Sequence, residues 1–595
     1  MRSHTKTLTG LLLLSLCSPL FGQATRKPLF GETHIHTVWS FDAYLFNTRA
    51  TPDDAYDFAK GKPLKHPLGQ IYQLSRPLDF MAVTDHGFYL GAFAKMKDKS
   101  HPLSRNRLAA KVNHPDPDVM ATAFVDLIVA ARMGRPPIDP KIAKEVEAET
   151  WAQVVESANR HYEPGKFTTF VAYEYTASPN GQNLHRNVIF KADTAPPPFT
   201  RNDSQNPEDL WSWMDTVRED GMDLLAIPHN SNLSDGLMFE RQMFEGQPFT
   251  ADYAAKRMRN EPLVEVTQVK GTSETHPALS PNDEFADFEL VEQRVASNIA
   301  VTKFAGSYVR DAYRAGLEFQ DKQKFNPYRF GLIAASDSHT CIVPVEEDSY
   351  SGKVGSRDGS PVRRLQTPSQ TMDMRKFSAS GLAGVWAEQN DRDSIFDAMR
   401  RKETWGTSGP RIIVRLFGGF DMGGIKPGED GWVKAAYESG VSMGGELKAA
   451  DGNGKAPTFA FWALKDSESA NLDRIQIVKG WSVNGESQEK VYDVSWSGGR
   501  SIDPSTGKLP AVGNTVNMDT LEYTNSIGSV ELSGTWTDPD FVAEQNAFYY
   551  LRAIEIPTPR WSMFDAKALG IPHPEDLHAV IQERAYTSPI WYDHH

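Results

Sequence analysis

Histidine and carboxylate side chains recur in this sequence at spacings that suit a metal site. His34 and His36 are separated by one residue, and so are Asp337 and His339. Side chains two positions apart along a strand point to the same face, so each pair can converge on one ion. Neutral imidazole and carboxylate are ligands for Zn, Mn or Fe. One such pair is weak evidence, because buried histidines often only satisfy backbone groups, so the pattern matters only if further ligands accompany it.

Further ligand-type residues occupy the ends of other short apolar runs. Five runs that read as strands each end in His, Asp or Glu, at Gly31–His36, Val83–Gly87, Ala172–Tyr175, Ile227–Asn230 and Ala334–His339. Buried polar side chains without partners would cost several kcal/mol each at the upper end, whereas a shared metal cluster removes that cost. The sequence therefore predicts a divalent-metal cluster built from the ends of successive strands.

The elements that would position these residues alternate between apolar strands and helices. Strands are predicted at Leu29–His36, Leu78–His86, Phe167–Glu174, Leu224–His229, Val264–Lys270, Phe330–His339 and Gly384–Glu388. Helices are predicted at Thr150–His161, Pro207–Glu219, Ser307–Gln320 and Asp391–Lys402. Near-continuous apolar strands suit a parallel sheet covered on both faces, and strand–helix repetition of this length favours an α/β barrel over an open sheet, which periodicity alone does not decide. Barrel enzymes carry their catalytic residues at the C-terminal ends of the strands, where these residues lie.

The pattern of apolar and polar residues predicts that the mature chain has two domains. Residues 25–410 form the predicted α/β domain, with polar insertions at about 100–149 and 235–262 that could roof the site. The stretch Tyr350–Met374, rich in Gly, Ser and Arg, is predicted to be a mobile surface loop near the mouth of the site. Residues 411–595 are predicted to form a mainly antiparallel, sandwich-like β domain, because apolar and polar residues alternate at Arg411–Leu416, Thr458–Leu464, Asp473–Lys479, Lys490–Trp496, Ser529–Thr535 and Phe548–Ile556.

The first 24 residues have the pattern of a secretory signal peptide. Basic residues precede the apolar run Leu8–Leu16, and Gly22-Gln23-Ala24 offers a small-x-small cleavage site. The apolar run is too short to span a bilayer, and no later segment is long and apolar enough to do so. Leu16 is bulky where a lipoprotein signal has a small residue, which argues against lipidation of Cys17. We therefore expect a periplasmic or secreted protein.

The composition and the absence of certain motifs argue against several classes of partner and several kinds of chemistry. The formal charge of -14 over 595 residues argues against nucleic acid or an anionic membrane surface as the main partner. Signal cleavage leaves Cys341 as the sole thiol, which excludes an internal disulfide, and a small buried side chain is its default role. No Gly-x-Ser-x-Gly elbow follows a predicted strand, and no Gly-rich phosphate loop is present. The expected partner is a small molecule.

These motifs resemble those of the polymerase-and-histidinol-phosphatase (PHP) superfamily, and more closely those of its exported branch of uncharacterised proteins, the DUF3604 family. The resemblance extends over most of the mature chain and is carried by Gly31–Thr37, Thr84–Gly87, Glu174–Tyr175, Ser336–His339 and Glu583–Tyr592. PHP proteins are distorted (β/α)7 barrels that bind two or three metal ions and often hydrolyse phosphoesters. The resemblance implies the same TIM-like barrel, with insertions, for residues 25–410.

Carried over by position, the resemblance implies a set of metal ligands in which Glu174 bridges two ions. These ligands are His34, His36, His86, Glu174, His229, Asp337 and His339. It also implies His185, between the Glu and the later His, as a ligand. The chain departs from the pattern at Asp42, where many members have a third histidine of the first motif. A carboxylate there is still a competent ligand, and the number of metal ions stays open at two or three.

The mechanism that follows is hydrolysis by a metal-bridged hydroxide, with Glu174, His229 and Asp337 at its centre. Two close metal ions lower the pKa of a bound water toward ~7 and stabilise the developing anion. The expected substrate is an anionic ester.

Four residues are candidates for holding that substrate. Arg186, Lys270 and Arg411 lie at or beside predicted strand ends and could bind the remaining oxygens of the ester. Each is individually more typical of a surface or structural residue. His276 could act as general acid or shape the mouth of the site, and an ordinary loop role is equally compatible with its position.

Two other functions stay open. The sequence supports a metal-dependent hydrolase better than it supports a phosphoric-ester bond, so an amide, a lactone or a sulfate ester is an alternative. The chain could instead be a non-catalytic, metal-stabilised protein whose second domain binds a partner or glycan. The tryptophans of that domain could line a carbohydrate site, although packing in a β core is their more usual role: Trp432, Trp462, Trp481, Trp496 and Trp536.

Overall fold

The computed structural model of the protein describes residues 26–133, 135–295, 297–367 and 372–594. The predicted signal peptide, residues 1–24, lies outside these ranges. Within them, no helix combines the length and the apolar composition that crossing a membrane requires. Export therefore stays a prediction.

Strands form where the sequence carries short apolar or alternating runs, and every strand predicted above overlaps an observed one. In chain order they are β1 (Lys27–Ile35), β2 (Leu64–Lys65), β3 (Ile71–Tyr72), β4 (Phe80–Val83), β5 (Thr168–Tyr175), β6 (Arg186–Phe190), β7 (Leu224–Pro228), β8 (Leu263–Glu265), β9 (Thr267–Gln268), β10 (Gly271–Thr272), β11 (Gly331–Ile333), β12 (Leu382–Ala387), β13 (Thr404–Thr407), β14 (Ile413–Gly419), β15 (Val441–Ser442), β16 (Glu446–Lys448), β17 (Thr458–Leu464), β18 (Leu472–Val483), β19 (Glu486–Trp496), β20 (Glu531–Thr537), β21 (Ala547–Glu555), β22 (Thr558–Pro559), β23 (Val580–Ile581), β24 (Arg584–Thr587) and β25 (Ile590–Asp593).

Helices begin where the sequence offers capping residues. Asn206 caps the helix that starts at Pro207, and Asp391 caps the one that starts at Arg392, each through its side-chain oxygen. In chain order the helices are α1 (Phe41–Leu45), α2 (Pro52–Ala59), α3 (Ala92–Lys95), α4 (Ala109–Val112), α5 (Pro117–Arg132), α6 (Pro140–Arg160), α7 (Pro207–Glu219), α8 (Ala251–Asn260), α9 (Val309–Gln323), α10 (Gly355–Asp358), α11 (Pro361–Arg364), α12 (Arg392–Arg400), α13 (Trp432–Ser439), α14 (Ala449–Gly452) and α15 (Trp561–Leu569).

A mixed sheet of 13 strands runs through both halves of the chain. At its centre β1 is parallel to β4, and β4 is parallel to β5, as predicted for apolar strands linked by helices. On the other side of β1 the strands β12, β13, β24 and β21 follow one another in antiparallel pairs. The sheet therefore crosses the division predicted at residue 410, because β24 and β21 come from the C-terminal part. The two-domain division itself stays a prediction.

The pairing differs from a regular barrel of parallel strands at β6. This strand was not predicted, and it runs antiparallel to both β5 and β7. A direct β5–β6 hairpin replaces the helical connection that parallel neighbours require. In addition, β8 and β11 pair in parallel as a separate two-stranded sheet. The fold of residues 26–410 in the described ranges is thus mixed α/β.

The ends of the central strands are tied together where the ligand-type residues lie. Beyond β11, the chain bridges to the end of β1 through Ile35 and Ser338. The backbone N–H of Asp337 donates to the carbonyl of His34 at 2.7 Å, and that of His36 donates to the carbonyl of Ser338 at 2.8 Å. These bonds fix the Asp-x-His segment beside the His-x-His segment.

The C-terminal part is mainly antiparallel, as predicted. A four-stranded sheet in the order β15-β14-β17-β20 faces the pair β18–β21 of the large sheet. Their facing side chains, among them Leu416, Phe461, Ile477 and Leu551, form one buried core. All five tryptophans considered for a glycan site have protein partners. Trp481 and Trp536 pack on this core, Trp432 packs on another apolar cluster, and the indoles of Trp462 and Trp496 donate to Glu531 and to the carbonyl of Arg500. Trp481 and Trp536 therefore have the packing role expected of tryptophans in a β core.

The insertions differ in where they lie. The first contains α4 and α5, and α5 borders the cavity described below. The second contains α8, and none of its described residues lines that cavity. The predicted surface loop 350–374 reaches the cavity, but its first part, including Lys353, is buried rather than on the surface.

Candidate metal centre

The ligand-type residues at the strand ends converge on one small region. All seven principal predicted ligands are buried. Their ligand atoms form three groups, in each of which the atoms lie within 4.8 Å of one another: His36 with His86 and His339, His34 with Glu174 and His229, and His34 with His36 and Asp337. Each group has the donor types and spacing to hold a metal ion.

Two carboxylates lie between the histidines. The Nε2 atom of His36 is 3.2 Å from Oε2 of Glu174 and 3.3 Å from Oδ1 of Asp337. The Nε2 atom of His34 faces the same two oxygens at 3.6 and 3.5 Å. An oxygen that faces two imidazoles in this way is suited to bridging two cations, which is the role predicted for Glu174.

Strand-end backbone turns help to aim these side chains. Asn230 and Asp337, each following a strand, adopt the left-handed region with φ of 48° and 57°. Asn and Asp accept that conformation more readily than most non-glycine residues. The turn at Asp337 lets its backbone bond to His34 while its carboxylate points into the cluster.

The second ring nitrogen of two histidines is held by a hydrogen-bonding partner. Nδ1 of His34 lies 3.0 Å from Oε2 of Glu265, and Nδ1 of His36 lies 2.8 Å from Oγ of Ser40. The Ser40 hydroxyl donates to Oδ1 of Asp85 at 2.7 Å, so it accepts from the N–H of His36. That tautomer leaves Nε2 of His36 as an acceptor directed at the cluster. Such contacts fix both the ring orientation and the tautomer of a metal-binding histidine.

Several buried nitrogens of the cluster have no hydrogen-bonding partner among the described residues. They are Nε2 of His34, Nε2 of His36 and both ring nitrogens of His229. A buried polar atom left unpaired costs about 1–3 kcal/mol. A cation would give a partner to Nε2 of His34, to Nε2 of His36 and to one ring nitrogen of His229. A set of imidazoles and carboxylates suits Zn, Mn or Fe. The residues present therefore fit divalent metal ions.

The two additional predicted ligands also lie at the cluster. Oδ2 of Asp42 is 3.2 Å from Nε2 of His86 and 2.9 Å from Nε2 of His339. Nδ1 of His185 is 2.7 Å from Oε1 of Glu174. Both side chains can therefore reach a cation held by their neighbours, and their role as ligands stays a proposal.

Burial and mutual charge displace the pKa values of the cluster. Burial alone lowers the pKa of His86, but the charges of the nearby carboxylates raise it to about 10. Burial alone raises the pKa of Glu174, but His86 and His185 bring it well below its usual range. Burial, with the charge of His229, lowers the pKa of His34 well below its usual value. Ionised carboxylate and neutral imidazole are the forms that bind metal, so binding would release the proton of His86.

Two lysine side chains reach the same place. Nζ of Lys270 contacts Oδ2 of Asp337, and Nζ of Lys353 lies 3.0 Å from its Oδ1. Burial opposes ionisation of Asp337, but these two charges hold its pKa well below the usual range. Burial also lowers the pKa of Lys353 to about 8, although Asp337 opposes the change. Lys270, predicted as a substrate-binding residue, therefore does lie at the site.

Arg186, predicted to hold substrate oxygens, faces away from the cluster. Side chains alternate along β6, so Asn187 shares the face of its partner Glu174 and Arg186 takes the opposite face. There Nε of Arg186 donates to Oε1 of Glu261 at 2.8 Å, and the Trp211 indole donates to the same oxygen. The structure corrects the prediction: Arg186 is part of a buried ion pair between sheet and helices.

Arg411 and His276 also lie outside the cluster. Arg411 donates its backbone N–H to Asp466 at 2.7 Å, and neither residue is among the described ones that line the cavity. Nε2 of His276 is 3.0 Å from Oε1 of Glu292, and its ring stacks on Phe304 with centroids 3.8 Å apart. Both residues therefore contact other protein groups, away from the candidate metal ligands. The structure corrects the prediction that they bind substrate.

Three residues of the site were not identified from the sequence. Glu265 interrupts a buried apolar strand, and a lone carboxylate at such a position was a usable signal. Asp85 precedes His86 within Thr84–Gly87, but it is not among the residues predicted for the site. Lys353 lies in a loop rich in Gly, Ser and Arg, where no periodicity or motif marks it.

The cluster forms the floor of a cavity of about 460 Å³. Volumes of this order accommodate small-molecule ligands. The polar floor is lined by Asp42, His86, Glu174, His185, Lys270, Asp337, His339 and Lys353.

Comparisons with known proteins give one family match. The model of the family described as protein of unknown function DUF3604 matches residues 23–594. The comparison with curated proteins found no match. One solved structure, a two-domain protein from Bacteroides vulgatus that contains a predicted PHP-like metal-dependent phosphoesterase, is 10% identical, with 79% of this chain and 85% of that chain covered and a TM-score of 0.28. A TM-score this low does not establish a shared fold.

Proposed function

The chain belongs to the DUF3604 family over nearly its whole length, and on the geometry of its cluster we propose that it is a metal-dependent hydrolase of phosphoric esters. The observation that carries the proposal is the convergence of seven buried His, Asp and Glu side chains, with imidazole nitrogens that have no hydrogen-bonding partner in the described part of the chain. Two or three divalent ions, Zn, Mn or Fe, would be the cofactors.

Divalent cations held at such a cluster supply Lewis-acid chemistry, which activates water near neutral pH and neutralises developing negative charge. In the overall reaction a water oxygen bonds to phosphorus, the bond from phosphorus to the alcohol oxygen breaks, and the alcohol leaves with a proton. The chain's own contribution is to hold and orient. Glu174 and Asp337 place their oxygens between His34 and His36, and His229 completes the group around Glu174.

The cationic side chains favour an anionic substrate. The ammonium groups of Lys270 and Lys353 meet at Asp337 on the cavity floor. Charge-assisted hydrogen bonds from such groups to phosphoryl oxygens are stronger than neutral ones. We therefore propose a small anionic ester as the partner, with Lys270 and Lys353 binding its non-bridging oxygens. A sulfate ester shares this charge, whereas a lactone or an amide does not use it.

We further propose that the α/β part of the chain forms a TIM-like barrel and that the mature protein is exported. β7 lies beside β8, β8 pairs with β11, and the segment after β11 bridges to β1. These contacts between neighbouring strands would close the sheet into a distorted, TIM-like (β/α)7 barrel. In it, β6 would be one of the barrel strands. The pattern of residues 1–24 would direct the mature chain to the periplasm or the exterior.

Metal-dependent turnover tests the proposal. Protein stripped with a chelator and reconstituted with Mn²⁺ or Zn²⁺ would be assayed on 4-nitrophenyl phosphate, bis(4-nitrophenyl) phosphate, 4-nitrophenyl sulfate, 4-nitrophenyl acetate and a lactone. We expect phosphate-ester hydrolysis that is lost on stripping and restored by metal. The Glu174→Gln variant should lose it, and Glu149→Gln, at an exposed surface ion pair with Lys95, should keep it. Full activity after stripping, or in Glu174→Gln, would reject the proposal.

A further inference from the structure

The wall of the cavity above the metal ligands is apolar. Side chains of α5 form one side of it, and Ile299 and Met374 contribute from two other segments. The α5 residues that face the cavity are Phe124, Val125, Ile128 and Val129. One cavity thus joins a polar, metal-binding floor to a hydrophobic wall.

Three of these apolar residues are exposed to solvent. The exposed fraction is 58% for Val125, 43% for Val129 and 48% for Ile299. Isolated exposed apolar residues are ordinary, but a group that borders a single cavity is typical of a ligand-binding surface. Here the group is continuous with the candidate metal centre.

The helix that supplies this wall carries exposed apolar residues in addition to a buried apolar face. Its inner face, with Met120, Ala123 and Leu127, packs in a buried hydrophobic cluster. A surface helix with one apolar face turns polar residues to solvent. The outward side of α5 does carry polar residues, among them Thr122 and Asp126, but the strip of it that lines the cavity presents Val125 and Val129. These two valines are four residues apart and therefore neighbours on the helix surface. Val125 and Val129 do not belong to the buried cluster, and they line the cavity, where a ligand can contact them.

From these observations we propose that the substrate is an amphiphilic ester with a bulky alkyl or aryl group that lies on α5. The anionic ester group would lie at Lys270 and Lys353, and the apolar group would extend along Val125, Val129 and Ile299. This inference rests on the proposed function, because it names the substrate class of the same site. Moving the apolar group from water onto this wall provides the binding free energy that selects such esters.

Binding of non-hydrolysable phosphonates tests the inference independently of the proposed function, because the measurement does not require hydrolysis. Methyl-, butyl- and hexylphosphonate would be titrated into Mn²⁺-reconstituted protein by calorimetry. We expect the affinity to rise up to about fourfold for each methylene that becomes buried. The double variant Val125→Ser/Val129→Ser should bind hexylphosphonate roughly tenfold more weakly and methylphosphonate as wild type does.

A matched control variant is available in the C-terminal part. Val530 is 57% exposed, close to the 58% of Val125, and does not line the cavity. Val530→Ser should therefore leave the chain-length dependence unchanged. Equal affinity for all three phosphonates, or an equal loss in Val530→Ser, would overturn the inference even if ester hydrolysis is demonstrated. Chain-length dependence without hydrolysis of any ester would support the apolar site and reject the proposed function.

Discussion

Two imidazole rings of the candidate metal centre, those of His34 and His36, are oriented through the nitrogen that faces away from it. Glu265 holds His34, and Ser40, fixed by Asp85, holds His36. With Nδ1 engaged, Nε2 of each ring is directed at the carboxylates of the cluster. At the scale of single residues, these supporting contacts decide whether the ligands are pre-positioned.

Removing the support of His34 should weaken metal binding. In Glu265→Gln the carboxyl group 3.0 Å from Nδ1 of His34 becomes an amide, which cannot ionise to accept the imidazole N–H as an anion. Loss of such supporting groups costs about 10–100-fold in metal affinity. Competition titration with a chelator of known affinity measures it, with far-ultraviolet circular dichroism as the check on folding. Glu265 is a positioning residue, so a folded Glu265→Gln protein with wild-type metal affinity would show that the contact with His34 has no such role.

Removing the Lys353 ammonium should reduce turnover of anionic esters. A hydrogen bond to a charged group contributes about 1.5–3 kcal/mol, so Lys353→Met should lower kcat/KM for 4-nitrophenyl phosphate by about 10–100-fold. Uncharged 4-nitrophenyl acetate serves as the comparison substrate, and its turnover should change less. An equal loss on both substrates would indicate that Lys353 supports the metal ligands rather than the substrate.

At the same scale, the sequence identified the residues that converge, whose role as ligands stays a prediction, but not the residues that support them. His34 and His36, or Asp337 and His339, are recognisable because spacing along a strand predicts a shared face. Lys353 could not be predicted, since its approach to Asp337 depends on how a loop folds back onto a strand end. Arg186 and Arg411 were assigned to the site from nearness in sequence to a strand end, which does not tell which face or which end of the strand a side chain occupies.

At the scale of elements, apolar runs located the strands well. The run Thr458–Leu464 matches β17 residue for residue, and Pro207–Glu219 matches α7. The strand β6 was missed, because only Val188, Ile189 and Phe190 mark it and a hairpin partner leaves no periodic signal. The resulting antiparallel strand is what turns Arg186 to the outer face.

The buried Arg186–Glu261 pair should be structural. Arg186→Met removes one of two buried cations beside the Glu261 carboxylate and leaves Arg257, 3.3 Å away, as the other. Breaking a buried pair typically costs about 3–5 kcal/mol, so we expect a loss of about 3 kcal/mol. Urea unfolding should show this loss, while Arg160→Met, which breaks an exposed pair with Asp53, should cost about 1 kcal/mol or less. A fully stable Arg186→Met protein with impaired hydrolysis would instead support the prediction that Arg186 binds substrate.

At the scale of the whole molecule, one sheet joins the strands that carry the candidate metal ligands to the C-terminal β layers. The pairing of β13 with β24 and of β24 with β21 was not predictable, because hydrogen-bonding partners far apart in sequence leave no local pattern. Buried carboxyl groups accompany this junction. Glu555, at the end of β21, is buried, and one of its oxygens accepts from Ser469 at 2.8 Å.

Glu555 should make stability fall as the pH rises. Burial, reinforced by the charge of Asp466 and opposed by Ser469 and Lys465, raises its pKa from 4.5 to about 8. The folded protein then binds this proton more tightly than the unfolded chain does, so the stabilisation is complete below about pH 4.5 and lost through about pH 8. Glu555→Gln mimics the protonated form and should gain stability relative to wild type between pH 5 and pH 8.5.

Thermal unfolding across that pH range checks the sign. The difference in Tm between Glu555→Gln and wild type should grow with pH, whereas Glu149→Gln, at an exposed position, should keep a constant difference. A Glu555→Gln curve parallel to that of wild type would mean that the carboxyl is ionised, and already compensated, in the folded protein.

The central claim is that the converging histidines and carboxylates bind divalent cations, and the metal content of the protein tests it most directly. After reconstitution with Mn²⁺ or Zn²⁺ and removal of free metal by dialysis, elemental analysis should find at least two ions per chain. The folded double variant His34→Gln/His36→Gln should retain fewer, because His34 and His36 take part in all three ligand groups. A wild-type protein that retains no metal, or a double variant with unchanged content, would contradict the account.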